Sequence, residues 1–257
     1  RDYDVNPLNL LSRVYFQMNK PREAQKCLET ILKIIPESKE IRDIFESLNR
    51  EIKKLDKVEK LLLKASKIKD KKKLKSLLDS VPTELRTHPG VCHFYNKNFI
   101  KTKSSGKDLV FFCPYTSFVW NPDTAKKGGS GGSEEAVINL SKRFKKLGWN
   151  VEVYASMGHE IKEWEGVIWK PWWMWNHRDK QDITIIWRLA KPIDFKINSK
   201  VVILDLHDVI SNPYEINEER QKILDKIFVK SEAHKFVIQK NTKVQIPDEK
   251  FVIIPNG

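Results

Sequence analysis

From residue 108 onward, short continuous apolar runs alternate with amphipathic stretches, and that alternation limits the fold more than any other feature. DLVFFCP (108–114), NVEVYA (150–155), ITIIW (183–187), VVILDL (201–206), IFVK (227–230) and FVII (251–254) have the length and composition of buried strands. Between the first two lies SEEAVINLSKRFKKLG, which places Ala136, Val137, Leu140, Phe144 and Leu147 on one helical stripe, with Gly148 as C-cap. Further helical stretches fall at 216–225 and 231–240. Strands separated by helices imply an α/β fold, a Rossmann-like parallel sheet with helices on both faces. Ligands of such sheets dock at the carboxyl ends of the strands.

The first 100 residues follow a different period. In NPLNLLSRVYFQMNKPREAQKCLETILKIIPES, apolar or small residues recur at Leu8, Leu11, Tyr15, Ala24, Leu28 and Ile31. Asn19, Lys20 and Pro21 divide the run into two helices, and Pro36 closes it. The pattern resembles a tetratricopeptide repeat, with Ser12 where a small Gly is usual. A degenerate second pair runs through Leu74, Leu77 and Pro82, and a helix over 89–101 is expected to cap the array. An unrelated stack of helical hairpins would bury the same faces. The polar stretch KTKSSGKD (101–108) is read as the linker, giving a helical region over 1–103 and an α/β domain over 108–257.

Charge divides the same way. Residues 1–107 carry 25 Lys/Arg against 14 Asp/Glu, whereas 108–257 carry 22 against 20. A basic half attracts anionic surfaces, although the run KIKDKKKLK (67–75) also fits a solvated helix face. The expected partners of this half are a protein or an anionic membrane surface. Nucleic acid is disfavoured, because no recognised motif is present and the lysines lack interleaved aromatics. Cys27, Cys92 and Cys113 are odd in number and far apart, which fits neither a disulfide framework nor a zinc site, and a cytoplasmic location, peripheral at a membrane, is expected. His159, His177 and His234 have no ligand-like spacing, so no metal is expected.

GGSGGS (128–133) stands between the first strand and its helix. A Gly/Ser stretch can be a flexible tether or a turn that lets a phosphate approach a helix N-terminus. Its place inside a strand-to-helix connection favours the turn. Ser130 and Ser133 are candidate N-caps, and Glu134 and Glu135 suit the first turn. The pattern is neither GxGxxG nor a Walker loop.

Taken in order, GGSEEAVINLSKRFKKLGWNVEVYA, VVILDLHDV, KIFVKSEAHK and IPDEKFVIIPNG resemble the N-terminal half of a GT-B glycosyltransferase of the family 4 type. The resemblance covers about residues 108–257. It implies transfer of a sugar from a nucleotide-sugar donor to an unknown acceptor, with retention and without metal or other cofactor. It places the donor diphosphate over Gly131 and Gly132, and His207 of LHD beside the reacting sugar as the catalytic candidate. Ser133, Glu134, Arg188 and Asp208 are the further substrate-binding candidates, Arg188 because it follows ITIIW at the ligand end of the strand. IPNG resembles the start of the family's second Rossmann domain, which holds the donor nucleotide, so this chain alone is expected to be inactive. A bland reading of His207 is a structural histidine between Asp205 and Asp208. Four tryptophans in WKPWWMWNHRD (169–179) would suit a sugar platform but fit packing better. The alternative function is a non-catalytic scaffold in which the repeats do the binding.

Overall fold

The structure is a computed structural model, and it describes residues 5–114 and 116–255. The chain forms two compact units, Arg1–Val81 and Pro82–Gly257.

The first unit contains α1 (Asn6–Gln17), α2 (Pro21–Ile34), α3 (Lys39–Ser66) and α4 (Lys71–Ser80). Proline at the first position starts α2, where its missing N–H removes no helical bond. Asn19 turns the chain there at φ 58°, a value Asn tolerates better than most side chains. Ala24, Leu28, Ile31, Ile41, Leu48 and Ile52 form the core. Leu8 and Tyr15 reach it partly, whereas Leu11 is exposed. Residues 39–66 make one 28-residue helix with no break, longer than either helix of a 34-residue pair.

The second unit opens with α5 (Thr83–Arg86) and α6 (Pro89–Asn98). The helix expected to cap the first unit therefore belongs here. Trp173 Nε1 donates to the Thr87 carbonyl at 2.7 Å, and Asn96 Nδ2 donates to the carbonyls of Met174 and Trp175. The stretch read as a linker is also tied down. Lys101 Nζ, the Ser105 amide and Ser105 Oγ all donate to the Asp108 carboxylate, and Ser104 Oγ donates to Asp182. The division thus falls near residue 81, because these bonds hold 82–107 to the sheet.

The sheet is built from β1 (Asp108–Phe112), β2 (Asn150–Ala155), β3 (Lys162–Trp164), β4 (Val167–Pro171), β5 (Gln181–Trp187), β6 (Ser199–Asp205), β7 (Lys226–Val229) and β8 (Phe251–Ile253). Its order is β3-β4-β2-β1-β5-β6-β7-β8. All pairs are parallel except β3–β4, a hairpin turned by Glu165 and Gly166 at φ 50° and 79°. Left-handed values at both central positions are those of a type I′ turn. The strand order reverses between β1 and β5, and this is the position where such sheets open a crevice.

α7 (Pro122–Lys126) and α8 (Gly132–Lys146) follow β1, α9 (Glu218–Ile223) precedes β7, and α10 (Glu232–Asn241) follows it. GGSGGS joins α7 to α8 inside this unit. Val137 and Ile138 of α8 are buried, while Leu147, expected on the buried stripe, is 69% exposed. Gly148 follows at φ 84°, the left-handed residue that ends a helix. One sheet face buries Leu109, Phe111, Trp120, Val137 and Trp169, the other Val110, Phe112, Ile186, Leu204 and Ile227. Trp169 is core, and Trp175 stacks on Phe112 at 4.0 Å, so the tryptophan-rich segment serves packing.

Candidate functional site

The carboxyl ends of β1, β5, β6 and β7 gather every sequence candidate. β6 runs into Asp205, Leu206 and His207; β5 ends at Trp187 and Arg188; the N-terminus of α8 supplies Gly131, Gly132, Ser133 and Glu134. Between them the end of β1 places Cys113, wholly buried. Burial pushes its thiol well above the usual range, and the charges of Asp205 and Glu134 push it the same way. All three cysteines are free.

Asp205 is the hub. Its carboxylate is buried, meets His207 Nε2 at 3.1 Å and accepts from Lys230 Nζ at 2.7 Å. Burial alone would raise its pKa, but the hydrogen bond to His207 and the charge and hydrogen bond of Lys230 outweigh it and hold the group below the ordinary value. An ionised carboxylate only accepts, so His207 must carry its proton on Nε2. In the neutral ring Nδ1 is then a bare acceptor. That atom is buried and has no partner among the described residues, and the side chain is only 2% exposed. His207 therefore lies beside Trp187, 6.5 Å between ring centroids, rather than on the open surface.

Arg188 has φ 66°, a left-handed value that costs a branched or long side chain of order 1 kcal/mol or more. Its amide donates to the Asp205 carbonyl, its guanidinium pairs with Asp208 at 2.6 Å, and it lies 4.9 Å over the Trp187 ring. Three constraints thus fix one arginine at the rim of a cleft of about 390 Å³. Its polar lining includes Thr116, Ser117, Ser211 and Asn212 with the carboxylate of Glu215, and its apolar lining includes Phe118 and Val209. The cleft sits at the ends of β1, β5 and β6, where the strand order reverses.

A second hollow, about 300 Å³, is lined by Gly132, Asn139 and Arg143 of α8, by Lys230, and by Ile254 and Pro255 after β8. Lys230 therefore faces this hollow while holding Asp205. Neither Ser130 nor Ser133 caps α8: Gly131 is the N-cap and no side chain bonds the first turn. Ser133 Oγ donates to Glu134 and Ser130 Oγ to Glu135. A Cβ on Gly132 would meet nothing within 4 Å, whereas one on Gly131 would stand 2.7 Å from Glu134 Oε2. Gly132 is thus not required by the fold as it stands.

Two residues not singled out from sequence complete the site. Lys230, in IFVKSE, is separated from Asp205 by 25 positions, and nothing local announces the pair. His234 of α10 accepts from the Lys230 amide through Nδ1, so its Nε2 carries the proton and donates to the Asp208 carbonyl at 3.1 Å. It fastens the ends of β6 and β7 together. Asn256 and Gly257 of IPNG lie outside the described residues.

No protein-family model matches the chain, and no curated protein matches it.

Proposed function

We propose that the second unit is the acceptor-side half of a GT-B glycosyltransferase that uses a nucleotide-sugar donor. The observation that carries the reading is the pair of hollows at the carboxyl ends of the strands, one of them lined by Lys230, which also holds the Asp205 that His207 meets. The hollow at the start of α8 suits a diphosphate: bare first-turn amides, a glycine with open space, and the cations Arg143 and Lys230. Stabilising charge on the departing diphosphate is the largest contribution such a site makes. The cleft bearing Arg188 and Asp208 suits the acceptor, its hydroxyl-rich lining matching a polyhydroxylated molecule. His207 offers Nδ1 as an acceptor for a substrate hydroxyl, reached once neighbouring side chains move. Retention of configuration belongs to this reading, as does a tetratricopeptide-like role for the first unit.

The test is release of nucleoside diphosphate from a panel of nucleotide sugars by the full-length protein. His207→Ala should cut turnover by about 10²-fold or more if its hydrogen bond strengthens in the transition state. A folded His207→Ala protein with unchanged turnover would reduce His207 to a structural residue. No release from any donor, with the fold intact, would favour the scaffold.

A further inference from the structure

We propose that the lysine-bearing side of α3, with the start of α4, binds the surface of an anionic lipid bilayer. Residues 53–75 contain eleven lysines and three acids. The three acids are engaged by other groups: Asp56 and Glu59 accept from Arg22 at 2.8 and 2.9 Å, and Asp70 caps α4 through the Lys73 amide. Lys53, Lys57, Lys60 and Lys64 recur at intervals of four, three and four, so they share one side of the helix. All four are exposed, and none has an ion pair among the described residues. The buried positions Ile52, Val58 and Ala65 fall outside that stripe.

Helix stability does not call for this arrangement. Lys71, Lys72 and Lys73 fill the first turn of α4, where the macrodipole disfavours cations, and the turn itself holds no acid beyond the single N-cap Asp70. Lysines four apart on α3 repel one another. An anionic surface reverses both penalties. It also fits better than nucleic acid. The eleven cations include no arginine, so no planar fork is offered to phosphates or base edges. No Phe, Tyr or Trp occurs between Phe45 and Phe94 to stack on bases. Leu63, beside Lys64, is 61% exposed, the kind of apolar side chain that a lysine-rich interfacial helix inserts at the headgroup boundary.

The experiment is co-sedimentation of the whole chain with phosphatidylcholine vesicles, with and without phosphatidylglycerol. Binding should require phosphatidylglycerol and weaken as salt rises. The variant Lys53→Gln/Lys57→Gln/Lys60→Gln/Lys64→Gln should lose about 10²-fold in partition or more, since each lysine near such a surface acts separately. Removing four charges from Lys103, Lys107, Lys146 and Lys243, exposed and scattered over the other unit, should cost only several-fold. Leu63→Gln should cost several-fold with the salt dependence unchanged. Circular dichroism verifies that each variant keeps its helices. Equal binding to neutral vesicles, or equal losses from the two quadruple variants, would overturn the proposal. Tighter binding to a mixed-sequence DNA duplex or single-stranded RNA than to the anionic vesicles would reassign the surface to nucleic acid.

Discussion

The helical unit and the α/β unit solve the problem of burial differently. The first rests on a thin aliphatic core around Leu28, Ile31 and Leu48, and leaves Leu10, Phe16, Met18 and Leu63 more than half exposed. The second buries both faces of a sheet, seats Trp120, Trp169 and Trp187 wholly inside, and holds a charged cluster at each end of its strands. Asp108 and Asp182 form the cluster at one end, and Asp205 with Lys230 the cluster at the other. A thin core with a charged exterior suits contact with an extended surface. A dense core that over-determines its polar groups suits a preorganised site, where a strained residue such as Arg188 can be held in place.

Replacing the largest buried side chain tests this contrast most severely. Trp120→Ala removes edge and tilted contacts to Trp169 and Trp187 at 5.7 and 5.5 Å, and should cost about 3–5 kcal/mol. All eight tryptophans lie in the second unit, so tryptophan emission during denaturation follows that unit alone. Leu28→Ala in the first unit should lower the far-UV helical signal at a denaturant concentration where emission is unchanged. If both substitutions shifted both signals together, the two units would be one cooperative body.

Charge removal sharpens it. Asp205→Ala strands Lys230 and His207 without their shared acceptor, a change that typically costs about 3–5 kcal/mol in a buried pair. Arg22→Ala breaks two ion pairs on an exposed face of the first unit and should leave the denaturation midpoint where it was. Equal losses from the two would mean that burial is not what separates the clusters.

Acid provides a third comparison. Asp205 and Asp182 have folded-state pKa values below the ordinary value, as does Asp108, where burial is outweighed by hydrogen bonds from Lys101 and Ser105. A depressed carboxylate contributes stability above its unfolded pKa, and that contribution is lost as pH falls through the folded pKa. The loss should therefore begin below about pH 4. Asp179, raised by burial, works in the opposite sense but is one group against several. Emission-monitored stability of the second unit should fall in this window. Gly132→Val should also cost little stability, about 0.5 kcal/mol or less, because its Cβ meets open space. On the function proposed above, calorimetry on the full-length protein should then show an intact fold with weakened binding of the nucleotide sugar; unchanged binding would move the diphosphate elsewhere.

Six of the parallel strands could be read from sequence because each is a short run rich in apolar and β-branched residues, and the turn before α8 could be read because glycine leaves few alternatives. The β3–β4 hairpin could not, since Trp169 to Trp175 draws attention as an aromatic cluster and hides an alternating strand beneath it. The unbroken α3 carries a drifting spacing of apolar residues, Ile41, Leu48, Ile52, Val58 and Ala65, which a repeat template does not match. The unit boundary was missed because the bonds of Asn96, Lys101 and Ser104 reach residues about 80 positions away or meet at Asp108. In the site, His207 and Arg188 were visible as strand-end polar residues. Lys230 and His234 were not, because their roles exist only once β6 and β7 are side by side.

The hairpin that sequence hid also settles how the sheet ends. Its first edge is a three-residue strand reversed against its neighbour and carrying Lys162 and Glu163, and its other edge, β8, is also three residues long. A short or charged rim presents too few unpaired amides and carbonyls for another chain to extend the ladder. Eight strands of largely parallel, apolar sheet would otherwise be a template for aggregation, and the protein closes that route at its margins.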